Sequence, residues 1–209
     1  KNVDKAAPNL RLVRGHARFA GPRTVDVDGE TFTADTVIVN TGGRARVPSL
    51  PGLDDVPFLD NRTVMEVPEL PGHLVVLGGG YIGCEFGQAF ARFGSRVTIL
   101  QGGPHLLGRE DEDVSTAVEE AFAAEGIDVL LNARAAAVER TGGGVRVTLA
   151  DGRPPVEGTH LLVATGRVPN TEALGCEAGG IALDEGGNVV VDDHYRTSAG
   201  GVYAVGDCT

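Results

Sequence analysis

Gly78-Gly79-Gly80-Tyr81-Ile82-Gly83 spaces its glycines as G-x-G-x-x-G. The pattern means little by itself in a chain with 31 glycines among 209 residues, about twice the usual share of ~7%. Its surroundings give it meaning. Leu74–Leu77 reads as a buried strand. Residues 81–93 then carry Ile82, Phe86, Ala89, Phe90 and Phe93 at helical spacing, with Gly94 placed to end the helix. Arg96–Leu100 reads as the next strand. A strand, a glycine turn, a helix and a second strand are the context in which such a loop holds a dinucleotide pyrophosphate. The first glycine, Gly78, permits the tight turn. The second, Gly80, lets phosphate oxygens reach the backbone, and the third, Gly83, lets helix and strand pack closely. The N–H groups of the helix start, around Tyr81 and Ile82, supply donors to the anion. The competing reading is a purely structural glycine turn.

An acid at the end of the second strand usually bonds the ribose 2′-hydroxyl. That position holds Gln101. A glutamine can bond a hydroxyl and does not repel a 2′-phosphate, so NADH and NADPH both stay open, with a slight lean to NADPH. His105 and Arg109 are the nearest basic groups, and Arg109 could equally pair with the acidic run behind it. Glu85 lies one turn after Tyr81, so both project from the same face of the helix start. Their plain reading is a packing ring and a first-turn acid that favours the helix dipole.

Other constellations offer less chemistry. Cys84, Cys176 and Cys208 lie far apart, without metal-ligand or redox-pair spacing, and read as small packing residues in a reducing cytoplasm. Five histidines are scattered. Glu110-Asp111-Glu112-Asp113 reads as the acidic start of a helix rather than as a metal site. The net charge of −11, with no Lys/Arg cluster, argues against nucleic acid. No apolar run reaches the ~18 residues of a membrane span.

The remaining elements frame these residues. Leu10–Phe19 reads as a strand, and Thr24–Val27 and Thr31–Thr33 as a hairpin around Asp28-Gly29. Thr36–Asn40 is nearly continuous in apolar residues and predicts a strand buried on both faces. A proline-rich connector with one short helix near residues 62–67 follows. Val114, Ala117, Val118, Ala121 and Phe122 predict the buried face of a helix ended by Gly126. Ile127–Leu131 is a strand, and Ala135–Leu149 reads as antiparallel strands. Leu161–Ala164, Val189–Val191 and Val202–Val205 complete the set. The fold class is α/β: a Rossmann-like parallel sheet with inserted antiparallel strands.

Three motifs in order identify a family resemblance. They are Gly-Gly-Gly-Tyr-Ile-Gly-Cys-Glu at 78–85, Ala-Thr-Gly-Arg-Val-Pro-Asn at 164–170 and Val-Tyr-Ala-Val-Gly-Asp at 202–207, preceded by Asn-Thr-Gly-Gly at 40–43. Together they resemble the flavin-dependent pyridine nucleotide–disulfide oxidoreductases, most closely the mercuric-reductase-like branch. The resemblance covers essentially the whole chain and implies NAD(P)H and FAD as cofactors. It implies that Tyr81 covers the nicotinamide site and that Glu85 lies near the nicotinamide amide. It places Thr41 and Gly42 beside the adenosine side of FAD and makes Thr165 and Gly166 the return to the FAD domain. Arg167 falls near the phosphates, and Asp207 at the ribitol–phosphate region. The family's own FAD glycine loop, its Cys-x4-Cys pair and its dimerisation domain have no match here. The expectation is therefore an internal fragment of a homodimeric parent. It comprises residues 1–43 as the end of a first FAD segment, 44–169 as the NAD(P) domain and 170–209 as the start of a second FAD segment. The parent would pass hydride from NAD(P)H to FAD and on to a disulfide, metal-ion or quinone-like acceptor, while the fragment alone would be inactive. The alternative is a stand-alone nucleotide-sensing module.

Overall fold

A computed structural model describes residues 9–209. In chain order its strands are β1 (Ala17–Gly21), β2 (Thr24–Val27), β3 (Glu30–Thr33), β4 (Val37–Val39), β5 (Gly43–Ala45), β6 (His73–Leu77), β7 (Arg96–Leu100), β8 (Asp128–Leu130), β9 (Ala135–Thr141), β10 (Gly144–Leu149), β11 (Val156–Gly158), β12 (His160–Val163), β13 (Arg167–Pro169) and β14 (Val202–Ala204). The helices are α1 (Tyr81–Phe93), α2 (Glu112–Ala124) and the single turn α3 (Cys176–Gly179). The chain divides into two compact units, one running Ala45–Arg167 and the other formed by the segments before Ala45 and after Arg167.

The Ala45–Arg167 unit is built on a four-stranded parallel sheet in the order β12-β6-β7-β8. Its strands read as continuous apolar runs because both faces are covered. Leu74, Val76, Val97, Ile99 and Leu162 join the core beneath α1 and α2. Val75, Leu77, Leu161 and Val163 join the opposite core, with Val138, Val145 and Val147 of the antiparallel β9-β10-β11 sheet. Each such side chain contributes about 1.5–3 kcal/mol by leaving water.

In α1 the expected stripe of Ile82, Phe86 and Phe90 packs on the core, with Phe93 the exception, whereas α2 departs further from expectation. α1 buries Gly83, Cys84, Gly87 and Phe90, while Phe93 is 69% exposed. Small residues, not the phenylalanine stripe alone, form its inner face: an ideal Cβ on Gly87 would lie 2.9 Å from Ile99 Cδ1. α2 begins at Glu112 with Asp111 as its N-cap, so Glu110 lies outside the helix. Its inner face holds Ser115, Val118 and Phe122, whereas Val114, Ala117 and Ala121 are exposed. On the inner side the Leu106 N–H donates to Glu119 Oε1 at 2.8 Å.

The other unit holds the antiparallel β1-β2-β3 sheet and the parallel pair β4-β14. Asp28 (φ 50°) and Gly29 (φ 94°) make the hairpin turn between β2 and β3. The first strand starts only at Ala17. Its partner β2 turns at Asp28, and the His16 N–H donates to the Asp28 carboxylate instead of continuing a ladder. Val39 is in the core, but Ile38 is 66% exposed, so β4 is covered on one face only among the described residues. Val189–Val191 is no strand. A turn closed on Asp184 leaves one bridge, Leu183 to Val189.

Candidate nucleotide-binding site

In the parallel sheet, α1 and α2 connect β6 through β7 to β8, and the chain then returns to place β12 on the other side of β6. The order therefore reverses at β6, and a crevice at the carboxyl ends of β6 and β12 is where such sheets bind ligands. Gly78 leaves β6 at that point with φ 106°. An ideal Cβ there would lie 2.5 Å from the Ala164 carbonyl oxygen and 3.3 Å from Thr165 Cα. Gly78 thus brings Thr165 and Gly166 against the glycine loop. Both are pinned there by Arg46: the Thr165 hydroxyl donates to Arg46 O at 3.1 Å, and the Arg46 N–H donates to Gly166 O at 2.9 Å.

The three motif glycines differ in what they face. Gly83 is held under Gly78, and a Cβ on it would come 1.9 Å from Gly78 O. Gly80 is the N-cap of α1, with φ −81° and nothing within 4 Å of its Cβ direction. No side chain caps this helix start. Its first N–H groups have no intrahelical acceptor and a positive dipole end behind them. The residues present therefore fit a dinucleotide pyrophosphate: an open approach at Gly80 and uncapped donors at Tyr81 and Ile82. Gly79, given no role by the sequence reading, is also constrained. A Cβ there would lie 2.4 Å from Leu106 Cδ2, and its carbonyl accepts the Leu107 N–H at 2.8 Å.

Tyr81 and Glu85 are both exposed at the start of α1. The Tyr81 hydroxyl donates to the Glu110 carboxylate, which holds its proton and raises its pKa above the ordinary phenol value. Glu110 had been read only as part of the acidic helix start. Its link to Tyr81 spans 29 residues and depends on how the loop after β7 folds back. Gln101 is engaged on both atoms of its amide by neighbouring backbone. The Gly79 N–H donates to Gln101 Oε1 at 3.1 Å, and Gln101 Nε2 donates to His105 O at 2.9 Å. Gln101 is a buttress of the glycine loop. Cys84 is buried behind that loop, and desolvation, with Glu85 and Glu119 nearby, pushes its thiol up to about 11.

In the other unit, β4 and β14 are parallel neighbours, so their carboxyl ends lie side by side. The Val205 N–H donates to Val39 O at 2.9 Å. Thr41 and Gly42 therefore emerge next to Gly206 and Asp207. Asn170 fixes the first pair, its side chain donating to Thr41 O at 3.0 Å and its N–H to Gly42 O at 2.9 Å. Two adjacent parallel-strand ends fit one edge of a flavin nucleotide, with Thr41, Gly42 and Asp207 as the residues that would hold it. Arg167 opens β13, where the chain passes from one unit to the other. All three cysteines are buried free thiols. Among the described residues no cluster of three His, Cys, Asp or Glu could hold a metal, and no helix is long and apolar enough to cross a membrane.

Comparison with known proteins agrees with this architecture. The chain belongs to the pyridine nucleotide-disulphide oxidoreductase family, whose sequence pattern matches residues 2–209. It is 41% identical, over 217 aligned positions, to a mercuric reductase of Streptomyces lividans, covering 100% of this chain and 46% of that protein. It is 45% identical over 184 positions to an NAD(P)H dehydrogenase (quinone) of Mycobacterium tuberculosis, covering 87% of this chain and 37% of that one. The structure of the HOCl-induced flavoprotein disulfide reductase RclA from Escherichia coli superimposes with a TM-score of 0.87 at 36% identity, over 96% of this chain and 46% of RclA. The chain spans about half or less of the length of these relatives.

Proposed function

We propose that this chain is the central, NAD(P)H-binding part of a flavin-dependent oxidoreductase that moves hydride from NAD(P)H to FAD and on to a disulfide, metal-ion or quinone-like acceptor. The observation that carries the reading is the contrast within the glycine loop. Gly78 and Gly83 are closed in by backbone, while Gly80 faces open space at an uncapped helix start. When bound, the nicotinamide supplies the hydride and the flavin receives it. The residues of this chain bind and orient. The α1 N–H groups hold the pyrophosphate, Thr165 and Gly166 border the crevice, and Tyr81 and Glu85 face the nicotinamide. Thr41, Gly42 and Asp207 take one edge of FAD. The names of the relatives support the acceptor classes: a mercuric reductase, a quinone dehydrogenase and a disulfide reductase.

Calorimetric titration with NADH and NADPH tests the reading. Binding of either is expected, together with its loss in Gly80→Val, whose branched side chain would occupy the pyrophosphate approach. No binding of either dinucleotide, or unchanged affinity in the variant, would refute it.

A further inference from the structure

Gln101 is held in place by Gly79 and His105, which leaves one N–H and one lone pair of its amide for a ribose and no charge to meet a phosphate. A different side chain stands at this edge of the sheet. Arg134, in the segment between β8 and β9, lays its stem over Gly102: an ideal Cβ on Gly102 would lie 3.2 Å from Arg134 Cγ and 3.7 Å from Nε. The juxtaposition is fixed by backbone. The Ala133 N–H donates to Gln101 O at 2.8 Å, and the Asn132 N–H donates to Gly103 O at 2.9 Å. Arg134 is exposed, and its guanidinium makes no hydrogen bond or ion pair among the described residues. Arg92, Arg96, Arg146 and Arg153 of this unit are held by carboxylates, whereas Arg46, Arg62, Arg109 and Arg140 are not among the described residues, and of the open arginines it is Arg134 that lies against Gly102.

We infer that Arg134 selects the 2′-phosphate of NADPH, an inference that rests on the nucleotide reading of the Gly78–Gly83 loop. Three features converge on it. No carboxylate stands at position 101 to bond a 2′-hydroxyl or repel a phosphate. Gly102 has no side chain, which lets the Arg134 stem lie against the backbone at this edge. A planar guanidinium already anchored along its stem offers paired N–H donors to a phosphate at little further ordering cost. In a chain of net charge −11, an unpaired surface cation is also what draws a dianionic group to one place.

The test is calorimetric titration of the protein with NADH, NADPH and 2′,5′-ADP, at low and high salt. The wild type is expected to bind NADPH more tightly than NADH and to bind 2′,5′-ADP. Arg134→Ala should lose roughly ten- to hundredfold in NADPH affinity. Its NADH affinity should move by less than about twofold, and Arg134→Lys should recover part of the loss. A wild type without preference for NADPH would overturn the inference while leaving the loop assignment intact. So would an Arg134→Ala variant that keeps the preference or weakens both dinucleotides equally. A wild type that binds neither dinucleotide would instead overturn the loop assignment, and this inference with it.

Discussion

Replacing Gly83 by alanine isolates the closest approach in the fold. The new Cβ would sit 1.9 Å from Gly78 O, against an ordinary non-bonded contact of ~3.5 Å. The start of α1 would have to lift by roughly 1.5 Å to restore that separation. It cannot do so freely, because Cys84, Gly87 and Phe90 are buried along the same face and Gly87 has Ile99 beneath it. Overpacking of this kind costs about 1–3 kcal/mol, and a clash with backbone belongs at the upper end. At roughly 2–4 °C per kcal/mol for a chain of this size, Gly83→Ala should lower the melting temperature by about 10 °C. The control is Gly80→Ala, whose Cβ meets nothing within 4 Å at an ordinary φ of −81°. It should melt within a few degrees of the wild type. The assay is thermal unfolding followed by circular dichroism, without added nucleotide. If Gly83→Ala melted with the wild type, or both variants fell equally, the division of labour among the glycines would be wrong.

Two further outcomes follow from the site. Tyr81 donates to the Glu110 carboxylate, so its phenol titrates above the ordinary value of ~10. Because the folded pKa is raised, this bond supports the folded protein below the unfolded pKa and is lost as pH rises through the folded one. Glu110→Gln should bring the Tyr81 titration down, read as phenolate absorbance against a Tyr81→Phe blank, and an unmoved titration would contradict the link. The thiols form the second case. Burial of all three, with Cys84 pushed up to about 11, predicts negligible labelling by a thiol reagent in the native protein at pH 7 and three labelled groups after denaturation. Rapid native labelling would show that the region behind the glycine loop opens.

Much of the parallel-sheet unit was legible in the sequence because its signals are local. The apolar runs at Leu74–Leu77 and Leu161–Ala164 read as buried strands and Arg96–Leu100 as the strand after the helix, and the three are neighbours in the parallel sheet. Gly83 meets its steric demand within the loop, against Gly78 O, while that of Gly78 comes from Ala164 at the end of β12. Amphipathic phase was less legible. In α2, valine and alanine at 114, 117 and 121 suggested the wrong face. The face that packs holds Ser115, Val118 and Phe122, with Glu119 bonded to the Leu106 N–H, a long-range contact that no periodicity encodes. Ile38 shows the same limit: an apolar run predicts two covered faces, but the neighbours that cover a strand are set by tertiary arrangement.

By itself, the sequence determined the α/β class, the position of the glycine loop and the family, since each rests on residue types at short fixed spacings. Only the tertiary structure decided what surrounds that loop. It made Gln101 a buttress of the loop, tied Tyr81 to Glu110 and laid Arg134 over Gly102. The reason is physical. Those contacts join residues 22 to 32 positions apart across parallel strands and returning loops, and hydrogen-bond geometry at that range is fixed by register and packing rather than by local pattern.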